Sequence, residues 1–220
     1  MSNYNSVTPE FIDELKTLLG EKYVKTDADT LDRYKTDEEA DERCFHLPDV
    51  VVIPANAEEI AGVVKLCNKY LIPLTVRGGG TGIVDGAIAD KGGVVLLMER
   101  LNKIIELNKE GLYMVAQAGV RTLDIQAAAK AENLLYAGDP SSSDSCQIGG
   151  NLATNAGGIK AVRYGVTRNQ VYAVCSGSVR FALSDLPLAH KKAAYPPIHL
   201  QRPESVPYTS AHRNNPRQAL

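Results

Sequence analysis

The stretch VRGGGTGIVDGA, Val76 to Ala87, places five glycines between positions 78 and 86, directly after an apolar run. Glycine reaches positive φ without steric penalty and lets backbone N–H groups come close to a ligand. Successive N–H groups in such turns form concave anion sites. The preceding run, LIPLTVRG, reads as a strand, and α/β folds hold ligands at the carboxyl ends of their parallel strands. Gly78, Gly79, Gly80, Thr81 and Gly82 therefore read as a pyrophosphate cradle, with a hydroxyl from Thr81 and a positive field from Arg77. Two common phosphate motifs are absent. No glycine is followed by Lys and then Ser or Thr, and G-x-G-x-x-G fails at Ile83 and Asp85. On this loop alone, a glycine-rich turn without a ligand is an equal alternative.

Upstream, DVVVIP (Asp49–Pro54) is a β-branched run bounded by turn residues, and NAEEIAGVVKLCNKY carries Ile60, Val63, Val64 and Cys67 at helical spacing. Asn56 suits the N-cap of that helix. Strand, helix and strand in succession form a βαβ unit, which predicts parallel strands. At the N-terminus, SVTPEFIDELKTLLG predicts a helix with Thr8 as cap, Pro9 at its first position and Gly20 at its end. Residues 26–48 are polar and acidic, a short helix and a loop. Downstream, GGVVLLM is a strand. KIIELN and YMVAQAG flank Lys109-Glu110-Gly111 as a hairpin, and RTLDIQAAAKAEN is an amphipathic helix with Thr122 as its cap.

A second cluster, GDPSSSDSCQIGGNLATNAGG (Gly138–Gly158), shifts the balance toward a ligand. It offers the hydroxyls of Ser141, Ser142, Ser143 and Ser145, the amides of Asn151 and Asn155, and close backbone approach at Gly149, Gly150, Gly157 and Gly158. It holds no paired carboxylates and no Ser-His-Asp set. Neutral donors among small residues suit a large polar cofactor with a planar ring system better than a hydrolytic nucleophile.

Composition narrows the classes. The chain has 220 residues, a net charge of −2 and 44% hydrophobic residues. That balance points to neither nucleic acid nor an anionic membrane. No secretory signal or membrane span is visible, which predicts a cytoplasmic protein. Cys44, Cys67, Cys146 and Cys175 fit no zinc-ligand spacing and no disulfide framework, so reduced thiols and no metal site are expected. Residues 1–174 carry 18 Lys and Arg against 24 Asp and Glu; residues 175–220 carry 6 against 2, with six of the eleven prolines. The expected layout is an N-terminal helical segment (1–47), a domain (48–174), and a divergent, disordered tail (175–220).

PLTVRGGGTG, followed by GDPSSSDSCQIGGNLATNAGGIKAVRYG, resembles the FAD-binding domain of the vanillyl-alcohol-oxidase / para-cresol-methylhydroxylase (PCMH-type) family. The branch it most resembles is the flavin-dependent D-2-hydroxyacid dehydrogenases: D-lactate dehydrogenase, the glycolate oxidase D subunit and D-2-hydroxyglutarate dehydrogenase. The resemblance runs from about Pro48 to Val174. It implies an α+β fold: a small parallel α/β half and a larger antiparallel half, with FAD between them and the flavin facing a separate substrate domain. It implies a cofactor site in which Arg77 and Gly78 to Gly82 hold the pyrophosphate and Gly86 and Ala87 continue that loop. Pro140, Ser141, Ser142, Ser145, Ile148, Gly149 and Gly150 would line the next part. Asn151, Thr154, Asn155, Gly157, Gly158 and Tyr164 would complete it near the flavin. Where some members carry a flavin-linking His, this chain has Thr81, which implies noncovalent FAD.

The implied reaction moves a hydride from C2 of a small 2-hydroxy acid to flavin N5, with electrons passed onward to an electron-transfer partner subunit. No catalytic residue is assigned, because the family's substrate-binding residues lie chiefly in the C-terminal domain. After Val174 the sequence leaves the family pattern in the manner of a frameshift or an artificial end. The expectation is an incomplete second sheet, weakened FAD binding and a chain inactive in hydroxyacid oxidation. The alternatives are a noncatalytic FAD- or nucleotide-binding module, or a subunit completed by a partner chain; a structural protein whose glycines serve only turns is the third reading.

Overall fold

The computed structural model describes residues 4–38, 41–174 and 197–202. Helix α1 (Pro9–Leu19) starts where expected. Thr8 Oγ1 accepts from the Phe11 N–H at 3.3 Å, Pro9 occupies the first turn, and Gly20 leaves the helix at φ +88°. Its buried stripe, Phe11, Leu15 and Leu19, packs with Val63 and Cys67 of α3 (Ala57–Tyr70). Asn56 caps α3: its Oδ1 accepts from Glu59 N at 2.8 Å, while the Glu59 carboxylate accepts from Ala55 N at 2.7 Å.

Between these helices the chain makes β1 (Val24–Lys25) and α2 (Ala28–Asp32). Strands β2 (Val50–Val52), β3 (Leu74–Arg77) and β4 (Val94–Leu97) complete a four-stranded sheet in the order β1-β2-β4-β3. β2 and β3 both run parallel to β4, which lies between them; β1 joins the edge antiparallel. The unbroken apolar runs of β2 and β4 follow from burial on both faces. Val50, Val52, Val94 and Leu96 face the α1/α3 layer, whereas Val51, Val95 and Leu97 face Leu31, Tyr34 and Ala89. The N-terminal segment is thus built into this layer, supplying core side chains and an edge strand.

The second sheet is antiparallel, in the order β5 (Ile104–Asn108), β6 (Tyr113–Ala116), β7 (Pro197–His199). The β5–β6 hairpin is the expected one. Helix α4 (Thr122–Ala131) contributes to the core of this half, where Met114, Ile125, Tyr136 and Ile148 are buried together.

Two expectations fail here. Thr122 does not cap α4. Arg121 takes that position, and Thr122 is fully buried, with Oγ1 accepting from Asn151 Nδ2 at 2.6 Å and lying 3.3 Å from Cys146 Sγ. A buried hydroxyl needs partners, and these two outcompete the capping bond. Disorder is also not what residues 197–202 show. They pair with β6, Ile198 and Leu200 are fully buried, and Leu135 and Gln201 exchange backbone bonds at 2.7 and 2.8 Å. Two apolar side chains on an otherwise open sheet edge outweigh the polar composition around them. The rest of the tail, 175–196 and 203–220, lies outside the described residues.

Candidate cofactor site

β3 ends at Arg77, and the chain turns at once into the first glycine cluster. Gly79 packs against the second cluster so closely that a Cβ there would sit 2.4 Å from the Ser145 carbonyl oxygen. Only glycine permits that approach. Gly78 lies beside Gln147, whose Oε1 would be 3.4 Å from a Cβ at 78. The Gly82 carbonyl accepts from Glu38 N at 3.1 Å, and Gly86 has open space around it.

The second cluster leaves the buried Tyr136–Ala137 segment and folds into consecutive turns. Ser143 N donates to Pro140 O, and Ser145 N and Cys146 N both donate to Ser142 O. Helix α5 (Ile148–Ala153) follows, then the glycine pair and α6 (Ala161–Tyr164). At Gly158 a Cβ would meet the Asp139 carbonyl oxygen at 1.9 Å, so the end of the cluster is clamped onto its beginning.

The second cluster, with Thr81 of the first, lines an open cleft of about 640 Å³, a size typical of small-molecule sites. Of the residues expected in the site, Thr81, Pro140, Ser141, Ser142, Gly157 and Gly158 line it, together with Asp139, Ser143, Ala156 and Ile159. Asp139 does not make the cleft anionic on balance. Lys160 Nζ lies 3.0 Å from its carboxylate, and Gln126 Nε2 donates to it at 3.2 Å.

Other expected residues point elsewhere. Arg77 is buried and donates to the carbonyls of Thr36 and Ala87. Burial pulls its guanidinium below the usual arginine range, against the opposing charges of Asp37 and Tyr34. Ile148 is a core residue, and the Asn151 side chain is spent on Thr122. Thr154 Oγ1 folds back onto the Gly150 carbonyl, Asn155 Oδ1 accepts from Arg168 N, and the Tyr164 carbonyl accepts from Gln170 Nε2. Ser145 Oγ donates to Asp144. Gly149 packs on Ala118, and Gly150 has no neighbour within 4 Å of a Cβ position.

Ser143, whose hydroxyl was counted among the donors of the cluster, lines the cleft, whereas sequence reading missed Asp139, Ala156 and Ile159, although all three lie within or beside the quoted cluster. It also missed Gln147, whose buried Oε1, like Tyr136 Oη, has no hydrogen-bond partner among the described residues. Burial pushes the Tyr136 phenol upward in pKa, so it stays a neutral donor. Orphaned buried polar atoms are uncommon in folded proteins, and here two flank the glycine clusters. Hydroxyls, open glycines and a neutralised carboxylate suit a ligand carrying a diphosphate.

A parallel layer and an antiparallel layer, joined at two glycine loops around a hydroxyl-lined cleft, define a PCMH-type FAD-binding domain. The chain belongs to the family described as the FAD binding domain, which matches residues 48–175. It is 39% identical over 174 residues to a D-lactate dehydrogenase of Anaerostipes hadrus, covering 78% of this chain and 35% of that protein. It is 40% identical over 125 residues to the glycolate oxidase subunit GlcD of Bacillus subtilis strain 168, covering 57% of this chain and 27% of the subunit. The solved structure of p-cresol methylhydroxylase with substrate bound superposes with a TM-score of 0.59 at 25% identity, covering 70% of this chain and 31% of that one. The chain therefore spans about a third or less of the length of these relatives. Among the described residues, no helix is long and apolar enough to cross a membrane.

Proposed function

We propose that this chain binds FAD noncovalently between its two glycine clusters, as the cofactor-binding part of a D-2-hydroxyacid dehydrogenase of the D-lactate or glycolate type. The observation that carries the reading is the approach of Gly79 to the Ser145 carbonyl. It brings the two loops together beside one hydroxyl-lined cleft. In this reading the peptide N–H groups of residues 78–82 and the Thr81 hydroxyl hold the diphosphate, and Ser141, Ser142, Gly157 and Gly158 line the path toward the ring system. Held there, FAD would supply a hydride acceptor for the oxidation of a small 2-hydroxy acid to a 2-oxo acid.

The cleft lining carries no histidine or arginine. Among the described lining residues the one ionisable side chain is Asp139, whose carboxylate is tied to Lys160 Nζ at 3.0 Å and would repel a substrate carboxylate. These residues form a cofactor site, and binding and turnover separate: the chain alone takes up FAD without oxidising D-lactate or glycolate. Electrons would leave through an electron-transfer partner.

The test is a titration with FAD followed by flavin absorbance, then acid precipitation. Saturable binding with all flavin released to the supernatant supports the proposal. A yellow pellet overturns the noncovalent assignment, and a chain that ignores FAD overturns the whole reading. Dye reduction by D-lactate or glycolate with the isolated chain would overturn the separation of binding from turnover.

A further inference from the structure

Arg77 sits where a phosphate-binding arginine is expected, yet its guanidinium faces inward. Nη1 donates to the Thr36 carbonyl at 2.7 Å and to the Ala87 carbonyl at 3.3 Å. The guanidinium carbon lies 5.5 Å from the Tyr34 ring centre. Gly80, at φ +68°, rides over it so closely that a Cβ would sit 2.2 Å from Arg77 Nη2. The residue is 8% exposed. Two further contacts come from the same N-terminal stretch: Glu38 N donates to the Gly82 carbonyl at 3.1 Å, and Asp37 Oδ2 would lie 3.9 Å from a Cβ at Gly82. The stretch is itself tied down, since His46 N donates to Lys35 O at 2.9 Å.

We infer that Arg77 is a positioning residue, which with residues 34–38 holds the glycine loop from behind in its ligand-ready shape. This rests on the reading of residues 78–82 as a diphosphate cradle. A glycine-rich loop loses more conformational entropy on ordering than any other, and that loss falls on binding unless the loop is already fixed. Arg77 spans it from Gly80 to Ala87, Glu38 pins its middle, and Ser145 backs Gly79. The N-terminal segment, which lies outside the family-matched span of 48–175, thereby becomes part of the cofactor site. A guanidinium buried on two carbonyls has little freedom to swing out to a phosphate, because that would strand both acceptors.

The experiment uses the full chain unaltered and as Arg77→Met, Arg77→Lys and Glu38→Pro. FAD and ADP affinities are measured across a salt series, and amide hydrogen exchange of residues 78–87 is measured without ligand. Arg77→Met should weaken FAD and ADP alike, by about tenfold or more. It should speed loop exchange in the unliganded chain and leave the salt dependence of binding unchanged. Arg77→Lys should recover part of both losses. Glu38→Pro deletes the Glu38 N–Gly82 O bond without touching Arg77 and should give a smaller effect of the same kind; it decides the matter if Arg77→Met does not fold. Weaker binding with unchanged exchange and a shallower salt dependence would mean direct phosphate contact and overturn the inference, as would unchanged affinity. If the unaltered chain binds neither ligand, the flavin reading falls, while the exchange contrast still decides whether Arg77 orders the loop.

Discussion

At single positions, the glycines divide by what surrounds them. Gly79 faces the Ser145 carbonyl, so its missing side chain serves contact between the loops; Gly150 has nothing within 4 Å, so protein packing does not explain it. The two should respond oppositely. Gly79→Ala forces a Cβ to 2.4 Å from a carbonyl oxygen and should cost about 1–3 kcal/mol of stability together with FAD binding. Gly150→Ala lies inside α5 and should raise stability by roughly 0.5–1 kcal/mol, while lowering FAD affinity if a ligand takes that space. Thermal melts without FAD and titrations with it separate the two effects; a Gly150→Ala chain with unchanged FAD affinity removes that glycine from the site. This is also where sequence reading stops. The glycines and serines marked the loops, because backbone approach needs small residues in runs. Side-chain direction was not legible. Arg77, Ile148 and Asn151 carry the right chemistry in the right motif, yet they face a carbonyl pair, a core and a threonine.

At the scale of elements, helices and strands follow their sequence signals closely where the pattern is long. α1 and α3 have clear caps and apolar stripes, and both were legible end to end. They are also joined by a polar clasp: Glu14 Oε1 accepts from Lys69 Nζ at 2.8 Å and from Tyr70 Oη at 2.5 Å. The Lys69 and Tyr70 bonds hold the Glu14 carboxyl below its ordinary value of 4.5. A carboxyl lowered by folding stabilises the fold above its unfolded pKa and loses that contribution as pH falls through the folded value. Glu14→Gln should therefore lower the melting temperature modestly at pH 7, with the difference shrinking progressively as the pH falls below 4.5; a deficit that stays the same size as the solution is acidified rules out the ionised clasp. β7 was illegible for the opposite reason. Three residues with a proline carry no period, and the strand exists because β6 has an open edge and the core has room for Ile198 and Leu200. Ile198→Ala should cost about 2–5 kcal/mol, seen in denaturant unfolding, and should raise hydrogen exchange in Tyr113–Ala116. A neutral result would show that the strand is not held there in solution.

Over the whole molecule, the two halves have separate cores, and Gly79 at the end of the parallel sheet meets the Ser145 carbonyl of the second cluster. Each half has its own reason to fold: valines buried on both faces of the parallel sheet in one, a hairpin, a helix and a tail strand in the other. Within the antiparallel half, Lys103 N donates to the Gln117 side chain and Gly119 N to the Leu101 carbonyl, which carries the β5–β6 pairing back toward the β4–β5 connection. A ligand held by both loops would tie the two halves to each other. FAD at a hundred times its Kd should then raise stability by about 2.7 kcal/mol, and the gain should appear in both halves at once. Hydrogen exchange with saturating FAD should slow in residues 78–87 and in 139–158 together, whereas ADP, lacking the ring system, should protect the first loop more than the second. Protection confined to residues 78–87 with FAD as well would mean that the serine-rich cluster packs against the site without belonging to it. The cleft would then be a consequence of the Gly79 contact rather than its purpose.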